Sequence, residues 1–234
     1  GGRSRVVARV REPLDSLAIA ADGTVYVSNV ADSNVLAIDP ATGRSRALMP
    51  AAFAMPLGLA VAPRDGVPSL LAADPFGWRW VDLATGRLDR PDWAGNRNAA
   101  SAIAADAGRI AWSWQRTGRV RVLDRASDQL LLDVEGLGAP RGLVLEPDGA
   151  VLVVDAAGGR LLHVAAGETR VLAQGLQEPV AIARARDGGW LVAEAGPGRV
   201  RRIGPTGGPG EIVASGLRRP TALQVSRSWL HQLV

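Results

Sequence analysis

Four polar residues stand at matching places along this 234-residue chain, each at the end of a short apolar run: Asn29, Asp74, Asp155 and Glu194. If those runs are equivalent strands of one repeat, the four residues share one face, beside the mouth of a channel. Three carboxylates and an amide converging there would offer the oxygen donors that Ca²⁺ prefers. The same residue types also do plainer work, because an Asp opening a loop accepts hydrogen bonds from amides two residues on. A fifth member of the column is Trp114, standing where the other runs end in Asp, Glu or Asn. With Arg116, Trp93, Arg97 and Asn98 it would make an aromatic and polar patch for a protein partner or a sugar-like ligand.

A second column opens the preceding runs: Asp15, Leu57, Ala100, Arg141, Val180 and Thr221. Only Asp15 and Arg141 ionise, so these two would either bind a polar ligand in the channel or satisfy each other. The two histidines, His163 and His231, fall at unrelated strand positions, and no Ser-His-Asp arrangement is suggested. Neither stands on the loop face, where lyase chemistry that depends on histidine would want one. Gly207-Gly208-Pro209-Gly210 lies in a hairpin turn, without the lysine and following helix of a phosphate loop. No catalytic constellation is evident. Asp15, Asp74, Asp155 and Glu194 remain as a ligand set only if the protein holds a metal.

The elements that must position these residues repeat. Aligning on the residue before each first run gives Pro13, Pro56, Ala99, Pro140, Pro179 and Pro220, at intervals of 43, 43, 41, 39 and 41 residues. Each complete unit has four apolar segments of strand length, separated by turn signals. Asp22-Gly23, Asp65-Gly66, Asp148-Gly149 and Asp187-Gly188 follow the first segment, where glycine accepts a positive φ at little cost. No segment carries a helical period over ten residues. Four-stranded antiparallel units of about 40 residues are the sequence form of β-propeller blades. A small residue follows each marker by two or three positions (Ser16, Gly58, Ser101, Gly142, Ala181, Ala222), as innermost strands crowding a central axis require.

The termini suggest how the ring closes. Arg5 to Pro13 reads like Arg170 to Pro179 and Glu211 to Pro220, which are fourth strands running into the next marker. Residues 220–234 would then supply a first and second strand. The two ends together make 27 residues, against 39–43 for a full unit. The expectation is one all-β domain over residues 1–234: a six-bladed propeller whose last blade is closed by residues 1–12 and the C-terminus, one strand short. A five-bladed ring is the alternative.

Composition excludes several classes. All 27 basic residues are arginine, and they are interleaved with 23 acids rather than clustered, so no nucleic-acid partner is expected. No run of 18 apolar residues occurs, so no membrane-spanning helix is expected. With no cysteine, disulfides and thiolate zinc sites are excluded. The compartment stays open, a secreted or periplasmic one being preferred to the cytoplasm, and the abrupt ends suit a monomer or one domain of a larger protein.

Two of the units resemble a known group. PRGLVLEPDGAVLVVD (140–155) and PVAIARARDGGWLVAE (179–194) are similar to the NHL-repeat and SMP-30/gluconolactonase-like propellers, and VYVSNVADSNVLAIDPATG (25–43) also resembles the YVTN-type unit. The first resemblance implies either a non-catalytic module binding a protein or small ligand on its loop face, or a Ca²⁺-dependent lactonase. The lactonases resemble one another in a Glu opening the first inner strand, with Asn and Asp ligands in other blades. Here only Asp15 approaches that pattern, and no Glu-Gly-Pro or Asn-Gly pair lies at the mouth. The binding module is therefore the expectation, with no cofactor assigned and Ca²⁺ reserved for the enzyme alternative.

Overall fold

A computed structural model of the chain describes residues 5–11, 13–48, 52–90 and 100–226. Five four-stranded antiparallel sheets follow one another, each meandering from the inside outwards in chain order. They comprise β1–β4 (Leu14–Ile19, Val25–Asn29, Asn34–Ile38, Ser45–Ala47) and β5–β8 (Leu59–Arg64, Val67–Ala72, Arg79–Asp82, Leu88–Asp89). The third holds β9–β12 (Ala102–Ala105, Arg109–Trp114, Arg119–Asp124, Leu130–Val134). The fourth and fifth hold β13–β16 (Pro140–Leu145, Val151–Asp155, Arg160–Ala165, Glu168–Gln174) and β17–β20 (Pro179–Arg184, Trp190–Glu194, Arg199–Gly204, Gly207–Ser215). The protein is a β-propeller. No described helix is long and apolar enough to cross a membrane.

The expectation of six blades is overturned: the described residues form five sheets. Residues 5–11, expected as a fourth strand, and 220–226, expected as a first, belong to no sheet. Their apolar side chains instead cover the two neighbouring blades. Val7, Ala8 and Val10 pack on Ile19, Val25, Val27 and Ile38 of blade one, while Leu223 and Val225 pack with Val180, Ala193 and Val200 of blade five. The Ile19 amide donates to Gln224 Oε1 at 2.9 Å, so the C-terminal segment bridges the first and last blades through a side chain. Strand composition is satisfied by such burial, but a strand also needs a partner ladder. The second strand expected in 227–234 lies outside the described residues.

The core lies between blades. Blade two meets blade three through Trp78, Trp80, Trp112, Ile103 and Ile110, with Trp78 and Trp112 edge to face at 5.4 Å. Four of the five tryptophans crowded into these two units, Trp78, Trp80, Trp112 and Trp114, thus serve blade-to-blade packing, whereas Val and Leu dominate between blades three and four, and Val, Leu and Ile with Trp190 between blades four and five. The small residue at the start of each inner strand has a visible cause at Gly142. A Cβ there would meet Ala181 Cα at 2.6 Å and the Val180 oxygen at 2.9 Å, which is backbone that cannot step aside. Asp65 and Gly66 take φ of 51° and 78°, the two positive angles of a type I′ hairpin.

Candidate functional site

The ends of the second strands form one ring of positions, and the structure shows what each does. Asp155 is fully buried. Its Oδ1 accepts the Ala139 amide at 2.8 Å, from the loop entering blade four, and its Oδ2 accepts Arg160 NH2 at 2.5 Å. Burial alone would push this carboxyl up. The Ala139 and Gly158 amides and the Arg160 guanidinium outweigh it and hold the group below the usual carboxylate range.

Glu194, also fully buried, repeats the arrangement in blade five. Oε1 accepts the Gln177 amide at 2.7 Å, and Oε2 accepts Arg199 Nε at 2.7 Å and Arg201 Nε at 3.1 Å. Again burial acts upward, and the Arg199, Gln177 and Arg201 donors bring the net shift down. In blade two, Asp74 Oδ2 accepts the Ala54 and Met55 amides at 2.7 and 3.1 Å and Oδ1 the Phe76 amide at 3.0 Å, with Arg79 3.7 Å away. Blade one uses an amide instead: Asn29 Nδ2 donates to Asp32, and its Oδ1 accepts the Asp32 amide.

Asp74, Asp155 and Glu194 staple the loop entering their own blade, and Asn29 ties down the turn between β2 and β3. The oxygens that would face a cation in common already accept backbone amides and guanidinium donors. Among the described residues, no three His, Cys, Asp or Glu side chains gather as metal ligands would. The partner arginines follow their acids by five residues (Asp74 and Arg79, Asp155 and Arg160, Glu194 and Arg199); in blades four and five the acid ends one strand and the arginine opens the next, cross-strand to it, while Asp74 stands two residues past the end of β6 and Arg79 pairs with Ala72. That spacing was present in the sequence and marks the staple better than the acids alone. A glycine before each arginine of blades four and five accepts an amide from the segment leaving that blade: Leu176 N to Gly159 O and Leu217 N to Gly198 O, both 2.9 Å. Gly159 sits at φ 59°, and a Cβ on it would lie 2.5 Å from the Leu176 oxygen.

Trp114 is partly buried rather than displayed. Its ring stands edge to face with Trp112 at 5.6 Å, and the Arg121 guanidinium lies over it at 5.3 Å. Arg116 beside it is exposed. Trp93, Arg97 and Asn98 lie outside the described residues, as does His231; His163 faces Asp148 at 3.9 Å, on the side of the Asp-Gly turns.

The second column has a more distinctive geometry. Both Asp15 and Arg141 sit in β-bulges of innermost strands: the pairing of β1 with β2 breaks between Leu14 and Leu17, and that of β13 with β14 between Pro140 and Leu143. A bulge re-aims the side chains it carries. The inner strands follow one another as β1, β5, β9, β13 and β17, and Asp15 and Arg141, on β1 and β13, are near enough for the Arg141 charge to act on the Asp15 carboxyl. Burial pushes the Asp15 carboxyl up, and the Arg141 charge pulls it part of the way back. Beside Arg141 a cavity of about 360 Å³ opens on the loop face, lined by Gln115, Glu178, Val180, Arg219 and Thr221 among others. Sequence reasoning did not find Glu178 and Arg219. Both take φ 47°, an uncommon angle for residues other than glycine, and their side chains approach to 3.8 Å at the cavity lip.

No known family profile matches the chain, and no curated protein matches its sequence. Solved structures do match its fold. A chain of the nidogen/laminin complex is 16% identical with a TM-score of 0.69, over 88% of this chain and 80% of that one. Virginiamycin B lyase from Staphylococcus aureus is 14% identical with a TM-score of 0.67, over 91% and 74%. A streptogramin B lyase gives 14% and 0.67 over 92% and 74%. At these identities the likeness establishes the propeller and leaves activity open, since one superfold hosts many functions.

Proposed function

We propose that this chain is a non-catalytic propeller of the NHL-like kind, a binding module that takes a protein segment or small polar ligand on its loop face, centred on the channel mouth. The observation that carries this reading is the division of labour among the polar residues. The loop-face acids are occupied in holding loops, whereas Arg141 borders an open cavity and its charge acts on Asp15. Such a cavity lies at the small end of the range for ligand sites. That a nidogen/laminin assembly contains a chain of this fold supports the partner form of the proposal.

The test is a paired assay of the purified chain. Lactone and ester hydrolysis is followed with and without added Ca²⁺, and unfolding is followed by differential scanning fluorimetry against a set of small charged compounds, for the natural chain and Arg141→Gln. The expected result is no Ca²⁺-dependent turnover, with thermal shifts that disappear in the variant. Ca²⁺-dependent hydrolysis of a lactone would overturn the reading in favour of the metal-dependent hydrolase.

A further inference from the structure

Arg141 differs from the other partly buried arginines. Among the described residues, the partly buried arginines Arg64, Arg79, Arg109, Arg119, Arg121, Arg160, Arg199, Arg201 and Arg202 each have a carboxylate within ion-pair reach. Arg125, also partly buried, donates to the carbonyls of Pro63, Asp106 and Ala107. Arg141 is partly buried too, yet among the described residues neither a carboxylate within 4.0 Å nor a carbonyl takes its guanidinium; only its backbone oxygen is engaged, by Ser113 Oγ at 2.8 Å. Its guanidinium opens to the solvent of the cavity instead, and its five donors are arranged to hold a carboxylate two-pronged.

We infer that the channel mouth is a site for a small monocarboxylate, whose carboxylate Arg141 holds while its short apolar tail lies against Ala156, Val180, Ala195 and Pro220. This deepens the binding reading above and rests on it. The charge balance favours a single negative charge. Arg219 is opposed by Glu178 at the lip, leaving one cation uncompensated within the cavity itself. Asp15 is the competing anion. The other acids packed against this mouth, Asp155 and Glu194, are held by Arg160 and by Arg199 and Arg201, and on the β1 side Asp32 is held by Arg11 at 3.0 Å. An incoming carboxylate therefore takes Asp15's counter-charge and favours Asp15 in its protonated form, so binding is accompanied by proton uptake and strengthens as pH falls.

The test uses trifluoroacetate and its neutral isostere trifluoroacetamide, followed by fluorine NMR on the intact chain from about pH 8 to about pH 4, a range in which this carboxylate stays ionised while an upward-shifted Asp titrates. Trifluoroacetate is expected to bind about tenfold or more tightly than the amide, the scale of one charge-assisted contact, and to gain affinity towards low pH. Arg141→Gln should abolish that preference, Arg141→Lys should keep part of it, and Asp15→Asn should remove the pH dependence and strengthen binding at high pH. The inference is overturned if the amide binds as well as the anion, or if Arg141→Gln leaves trifluoroacetate binding intact. Binding of the amide alone would overturn the anion class while leaving the binding module standing. Phosphate binding more tightly than trifluoroacetate, with the same dependence on Arg141, would also overturn the single-charge assignment.

Discussion

Blades three and five solve the same problem with different residues. In blade five the end of the second strand is Glu194, whose buried carboxylate collects the Gln177 amide, Arg199 and Arg201. In blade three that position is Trp114, cross-strand from Arg119 as Glu194 is from Arg199. With no acid opposite, Arg119 turns outward to the fourth strand and pairs with Asp133 through two contacts of 2.6 Å, and with Glu135 at 2.5 Å. Arg121 shares Asp133 at 3.0 Å and covers the Trp114 ring. The amide that follows the tryptophan, Gln115 N, donates to Ser101 Oγ at 2.9 Å, where the amide that follows Glu194, Ala195 N, donates to the Glu178 carbonyl at 3.0 Å. What the ring demands at this position is therefore not an acid. It is a counter-charge for the arginine, and a different strand can supply it.

The difference lies in burial. Glu194 is fully buried, whereas the Asp133 side chain is 30% exposed. Breaking a buried, hydrogen-bonded charge pair strands its partner and costs about 3–5 kcal/mol, while exposed pairs contribute about 1 kcal/mol or less. Glu194→Ala is expected to give the largest loss, about 3 kcal/mol, read from urea unfolding followed by tryptophan fluorescence; a loss below about 1 kcal/mol would show that the staple is no stronger than a surface pair. Trp114→Ala comes next, at about 2–3 kcal/mol, below the range for a fully buried tryptophan because the ring is only partly covered. It should loosen amide-exchange protection at the junction of blades two and three while leaving blade five unchanged.

How far the sequence shows this comparison depends on the range of the interaction. The inner strands, the Asp-Gly turns and the small residue at Gly142 were legible because each is dictated within one repeat. Asp155 and Glu194 were legible as polar strand ends with two open roles, and the arginine five residues on would have favoured the loop staple. Blade number was not legible: residues 5–11 and 220–226 have the composition of strands, and only the absence of a ladder distinguishes them. The cavity lip was hidden for a related reason. Glu178 and Arg219 come from separate loops with left-handed backbone that nothing in their residue types announces.

The smaller predictions concern charge, and the two ends of the scale have opposite signs. Arg119 and Arg121 lower Asp133 to about 2. A carboxyl depressed in the folded state adds stability above its unfolded value near 3.9 and loses it as pH falls through about 2. Asp133→Asn should thus cost less than about 1 kcal/mol at neutral pH, given its exposure, and nothing in strong acid. A constant difference across that range would mean packing, not charge, holds blade three's outer strand.

Asp15 runs the other way. Its carboxyl is raised by burial despite Arg141, so the folded state binds its proton more tightly than the unfolded chain does. The associated stability is present below the unfolded value near 3.9 and is lost as pH rises through the folded one. Asp15→Asn should therefore stabilise the protein at neutral pH, by about 1 kcal/mol or less, as a small rise in melting temperature that vanishes in acid. The same substitution in an Arg141→Gln background sharpens the argument. With that cation gone, the ionised Asp15 is more unfavourable still, so the gain on replacing it should be larger there than in the natural chain. An equal gain in both backgrounds would mean that the two side chains do not sense each other.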